Sequence, residues 1–182
     1  MTFILLLAAA LHATGAPQTV AVNKDAATLA DFTKRIAAYE TLQRKLDGQL
    51  TEVPSDGRPE QFIDHQRALA RLIQRERLKA DHGDVFTKEM RSVVRRLLAP
   101  ALRGPDGPDL RRAILDEFTG NVRLVVNGQY PDNVPLSQMP PPILQRLPKV
   151  PDILEYRFVG TNLILLDAHA RLIVDFIDKA FQ

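Results

Sequence analysis

The chain has 182 residues, a length that one core can serve, and at that size about 70% of the unfolded surface is buried without a covalent staple. Its 45% hydrophobic and 25% charged residues exclude a disordered tail. A formal net charge of +2 excludes a strongly cationic protein, so charge alone names neither nucleic acid nor membrane as a partner. The absence of cysteine excludes a disulfide framework and a lipobox anchor.

The first predicted element is an export signal. Phe3 to Leu11 is an unbroken apolar run, too short for the roughly 20 residues of a spanning helix but suited to a signal-peptide core. Small residues follow at the spacing a signal peptidase reads, Ala13-x-Gly15 or Thr14-x-Ala16. A cut after Gly15 is preferred, because the other places Pro17 directly behind the scissile bond. No Lys or Arg precedes the run; either the n-region relies on the free amino terminus or the true start lies elsewhere. The expectation is a signal peptide over residues 1–15 and one α+β domain over 16–182, working in the periplasm or secreted. No later run of 18 apolar residues offers a membrane span.

Ala26 to Leu46 carries apolar residues at Leu29, Phe32, Ile36, Tyr39, Leu42 and Leu46, the spacing of an amphipathic helix, with Asp25 as its N-cap. Turn chemistry from Pro54 to Pro59 leads into a second helix, Pro59 to Ala80, with Phe62, Leu69, Leu72 and Ile73 on one face. The two read as an antiparallel hairpin. A third helix spans Thr87 to Leu98, with Phe86, Met90, Val93, Val94 and Leu97 as its stripe, and Pro100 is read as its breaker. Pro108 opens a short helix through Phe118.

From residue 119 the pattern turns strand-rich. Val122 to Val126 reads as a strand. Pro131 to Pro151 holds seven of the thirteen prolines and should lie extended over a surface, with one short helix near Ile143 to Leu147. Leu154–Val159, Asn162–Asp167 and Leu172–Ile177 are then three runs parted by short turns, which demand an antiparallel meander. Leu163 to Leu166 is apolar at every position, so both faces of that strand need cover. Helices supply one cover; the proline-rich segment or another subunit must supply the other. The fold class is α+β, a helical hairpin and further helices (about 25–118) on a small C-terminal meander (about 119–182).

The blocks His65-x-x-x-Leu69-Ala70, Gly83-Asp84-Val85-Phe86, Leu147-Pro148-x-Val150-Pro151, Leu154 to Gly160, Leu163 to Asp167 and Leu172 to Asp175 together resemble a family of uncharacterised exported bacterial proteins of similar length. The resemblance covers most of the chain after the signal. It implies compartment and domain unity and implies no reaction. The Tyr-x-x-Val and Leu-x-x-Asp pattern of the meander is also similar to C-terminal strands of small periplasmic proteins, metal-homeostasis accessories among them.

Candidate chemistry is sparse. Asp81-His82-x-Asp84 and Asp167-x-His169 are the local clusters from which a metal site could be drawn, through His82, Asp84, Asp167 and His169, although neither has a known ligand spacing. His65 shares a face with Phe62, Leu69 and Leu72 and reads as a core-margin histidine. Ser55, Ser92 and Ser137 lie in no nucleophile-elbow context, and no glycine loop cradles phosphate. Arg67, Arg71 and Arg75 stack along one helical face, as do Arg91, Arg95 and Arg96 on the next, with Glu60, Asp64, Glu76 and Glu89 interleaved. Arg157 points out of the sheet, where a cross-strand pair with Asp175 is expected. No catalytic residue and no cofactor is assigned, and nucleic acid is not expected because the aromatic residues fall at core positions. The reading is a non-enzymatic envelope protein that binds a macromolecule, a protein partner or its own copy, through the sheet, the proline-rich segment or a surface holding Arg67, Arg71, Arg75 and Arg157. The alternative is a metal-dependent or carboxylate-based hydrolase of envelope material.

Overall fold

The computed structural model describes residues 24–118 and 120–181; the export signal and cleavage site expected from the sequence lie outside them. Helix α1 (Lys24–Asp47) buries Phe32, Ile36, Tyr39 and Leu46, the predicted stripe. Asp25 falls inside its first turn rather than at the cap. Helix α2 (Pro59–Glu76) has proline in its first turn, and the Gln61 side chain accepts the Arg58 N–H at 2.8 Å. It stops before the predicted Ala80. His65 lies beside Asp47, whereas the Arg77 guanidinium lies over the Tyr39 ring, so the helices run antiparallel as expected. Leu69 and Ile73 are fully buried, but Phe62, in the first turn, is 44% exposed.

Thr87 caps α3 (Lys88–Arg103) by accepting the Met90 N–H at 3.2 Å. Pro100 does not break this helix. A proline removes one intrahelical bond and crowds the preceding turn, yet the buried stripe Met90, Val93, Val94, Leu98 continues past it to Leu102, and that burial holds the last turn in place. Helix α4 (Gly107–Glu117) turns back against α3, and Arg111 donates to the Leu102 carbonyl. The four-residue α5 (Pro141–Leu144) buries Ile143 within the predicted proline-rich stretch.

The sheet is an antiparallel meander in the order β1 (Leu154–Val159), β2 (Asn162–Asp167), β3 (Leu172–Ile177), with the bounds read from sequence. Gly160 takes φ +58° in the two-residue β1–β2 turn, a backbone state that suits glycine. Leu163, Ile164, Leu165 and Leu166 are all fully buried. Leu163 and Leu165 join the helical core with Phe32, Phe86, Val94 and Leu98. Ile164 and Leu166 join a second cluster with Val122, Tyr130, Val134 and Phe176. The chain therefore closes both faces of its own central strand.

That second cover corrects one expectation. Residues 122–126 are not a strand. They pass over the far face of the sheet, with Val122 buried in the second cluster and Leu124 and Val126 packed against it. The chain then meets the edge of β3: Asn127 N donates to Ile173 O, Ile173 N to Gly128 O, and Tyr130 N to Arg171 O. Asn127 reaches this position with φ +59°, which asparagine tolerates better than most residues. The arrangement satisfies an edge that would otherwise offer unpaired backbone groups.

Candidate functional site

The blocks singled out in the sequence meet as joints in the core. Register between β2 and β3 slips at Leu165/Leu166, and this irregularity sends both Val174 and Asp175 toward the helices. Asp175 is fully buried. Its Oδ2 accepts the N–H groups of Val85 at 2.8 Å and Phe86 at 2.7 Å, and its Oδ1 accepts those of Gly83 and of Phe176. Gly83, at φ +101°, gives the loop its shape. Gly83-Asp84-Val85-Phe86 and Leu172-Ile173-Val174-Asp175 are thus the two halves of one clamp. The expected Arg157–Asp175 pair does not form. In the order β1-β2-β3 those strands are not neighbours, and Asp175 is occupied on the helical side; Arg157 pairs with Glu155 on its own strand instead.

Asp167 makes a second joint. Tyr39 Oη donates to its Oδ2 at 2.8 Å, and Ala170 N donates to its Oδ1 at 2.7 Å. Burial pushes the Asp167 carboxyl above its ordinary range, against the pull of those hydrogen bonds. Burial, then the adjacent carboxylate, raises the Tyr39 hydroxyl well above its usual value. Arg77, which no sequence pattern marked, sits 5.0 Å over the Tyr39 ring and donates to Asn127 Oδ1, so it ties α2 to the segment covering β3. Burial lowers its guanidinium from the usual arginine range.

The sign of the Asp167 contribution follows from that direction. A folded-state pKa raised above the unfolded value near 3.9 means folding favours the protonated acid. The stabilisation is fully present below that value and is lost as pH rises through the folded pKa. Asp167→Asn keeps an acceptor for Ala170 and places an amide donor toward Tyr39 Oη. It is therefore expected to fold at neutral pH with stability at or slightly above the parent's, and to flatten this part of the pH profile. Urea unfolding at several pH values between 4 and 7 checks it; an unchanged slope would remove Asp167 as the titrating group.

The two clusters proposed as metal ligands, His82 with Asp84 and Asp167 with His169, stay at opposite ends of β3 and are not brought together. The His82 ring stacks on Phe176 at 4.2 Å, with Nε2 2.9 Å from the Phe176 carbonyl and 3.6 Å from Asp178. Asp84 accepts the Asp81 N–H and shapes the loop. His169 is exposed in the β2–β3 turn, at the opposite end of β3 from His82, roughly 20 Å away by strand rise. Among the described residues no three His, Asp or Glu side chains gather as a metal site. His65 lies 3.5 Å from Asp47, at the core margin as read. Ser137 is buried and donates to the Phe158 carbonyl, fastening the proline-rich segment to β1. Arg95 and Arg96 are engaged too, the first donating to the Asp178 carbonyl and the second pairing with Asp25.

An open groove of ≈ 560 Å³ lies between the proline-rich segment and β1. Met139, Leu144, Leu147, Val150 and Leu154 give it an apolar floor, with Lys149, Asp152, Glu155 and Arg157 among its lining. Leu144 is half exposed there. Tyr156 donates to the Pro148 carbonyl at 3.0 Å and holds the wall in place; burial pushes its hydroxyl well up. Among the predicted surface residues only Arg157 lines this groove, while Arg71 and Arg75 share a separate hollow on α2 and Arg67 pairs with Asp132. The run of alternating prolines and aliphatics was the signal available in sequence for the groove, although not for its depth. No helix among the described residues is long and apolar enough to cross a membrane. Comparison with family models, with curated proteins and with solved structures finds no match.

Proposed function

We propose that the protein is an exported cell-envelope binding module, non-enzymatic, which holds an apolar segment of another protein in the groove between the proline-rich segment and β1. The groove is the observation that carries this reading. Its apolar floor with a charged rim is the make-up of a site that takes a side chain or two and fixes orientation at the edge. The sheet faces offer no such place, since the chain covers both. The buried acids support the same reading, because Asp167 and Asp175 spend their oxygens on joints of the fold.

Export and binding are separable tests. The apolar run and its small-residue sites lead to a mature chain that begins at Ala16 and fractionates outside the cytoplasm; an intact Met1 terminus in the cytoplasm would end the export half. For the groove, a photo-crosslinking amino acid at exposed Gln145 is expected to yield discrete adducts in cells, lost when Leu144→Glu is added. The same group at Leu115, exposed on α4, should yield none. Equal labelling from both positions, or no adduct at Gln145, would overturn the binding half.

A further inference from the structure

We infer that the outer face of α2 is a reversible docking surface for an anionic phospholipid bilayer, held by Arg71 and Arg75 with Leu78 at the boundary. This inference is independent of the groove. Arg35, Arg44, Arg96 and Arg112 each keep a carboxylate within 3.5 Å. Arg71 and Arg75 keep none among the described residues, as is also true of exposed Arg103, Arg123 and Arg146; what sets the α2 pair apart is that the two stand one turn apart on one helix face and share a hollow with an exposed leucine. Together with Gln74 and Leu78 they line a shallow hollow. Gln74 donates to the Asn127 carbonyl, so the floor of that hollow is tied to the body of the protein.

Two ordinary explanations fall short. Cations are favoured in the last turn of a helix by its dipole, but that effect fades within a turn; it accounts for Arg75 and not for Arg71, which lies five residues before the end of α2. A single exposed leucine needs no explanation on its own. Leu78, however, is 81% exposed and lines the same hollow as the two guanidiniums. A bilayer matches that combination: guanidinium groups take phosphate oxygens in pairs, and an adjacent leucine enters the headgroup boundary. The apolar face of α2 stays in the protein core, so the contact is shallow and salt-sensitive rather than an insertion.

Sedimentation with vesicles tests the surface. The mature protein is expected to bind vesicles of phosphatidylcholine with 30% phosphatidylglycerol at low salt, and not vesicles of phosphatidylcholine alone. Arg71→Glu with Arg75→Glu should lower the partition coefficient by roughly 30-fold or more, since each basic residue near such a surface contributes about fivefold. Leu78→Ser should lower it several-fold while leaving the circular dichroism spectrum unchanged. Absence of binding to the anionic vesicles overturns the inference. So does binding that ignores Arg71→Glu/Arg75→Glu, or equal affinity for soluble polyglutamate with no effect of Leu78→Ser, which would make the partner an acidic polymer. Gln145 crosslinking in the Arg71→Glu/Arg75→Glu variant should persist, which separates this surface from the groove.

Discussion

Asp175→Ala is expected to cost about 3–5 kcal/mol, as urea unfolding followed by far-UV circular dichroism would measure it. The loss is large because the carboxylate gathers the N–H groups of Gly83, Val85 and Phe86, of which Val85 and Phe86 are buried. Alanine leaves those donors facing neither water nor an acceptor. Asp175→Asn retains one acceptor oxygen and turns an amide donor toward the remaining N–H groups, so an intermediate loss of about 1–3 kcal/mol is expected. Amide exchange at Val85 and Phe86 should accelerate in both variants before the rest of the helical core is affected. A change below about 1 kcal/mol in the alanine variant would show that the loop before α3 is held by its apolar contacts alone.

Ile164→Ala and Leu165→Ala should each cost about 2–5 kcal/mol, although their side chains point in opposite directions. A sheet with one face in water would answer differently: the inward residue would be costly and the outward one nearly neutral. Here Leu165 enters the helical core and Ile164 enters the cluster under Val122, Tyr130 and Val134. Both side chains are fully buried, so each truncation leaves a cavity. Denaturant midpoints for the two variants decide the matter. An Ile164→Ala cost within about 0.5 kcal/mol would mean that segment 120–136 lies loosely on the sheet and contributes no second core.

Legibility varied with how local the cause was. The limits of the meander strands are legible to the residue, because Gly160-Thr161 and Ala168-His169-Ala170 part three runs dominated by aliphatic and aromatic residues. Helix α1 followed from a stripe of six residues. Pro100 misled, since its local penalty is outweighed by burial of Leu102, a contact the sequence does not display. Residues 122–126 misled for the opposite reason: β-branched residues suit any half-buried extended chain, whether or not a neighbouring strand accepts its hydrogen bonds. Arg77 was invisible because a cation near the end of a helix reads as solvated until Tyr39 and Asn127 are seen beside it.

The amino-acid order by itself determined the α+β class, the strand limits and the need for two covers over Leu163–Leu166, because periodicity and hydrophobicity act between near neighbours. Only the tertiary structure decided that the second cover comes from the same chain, that Asp175 clamps the loop before α3 rather than meeting Arg157, and that a groove opens beside β1. Those outcomes depend on which distant segments arrive together. Asp175 and Phe86 are 89 positions apart in the chain and 2.7 Å apart at their bonded atoms, and no local pattern of residue types encodes which of several buried donors a carboxylate will find.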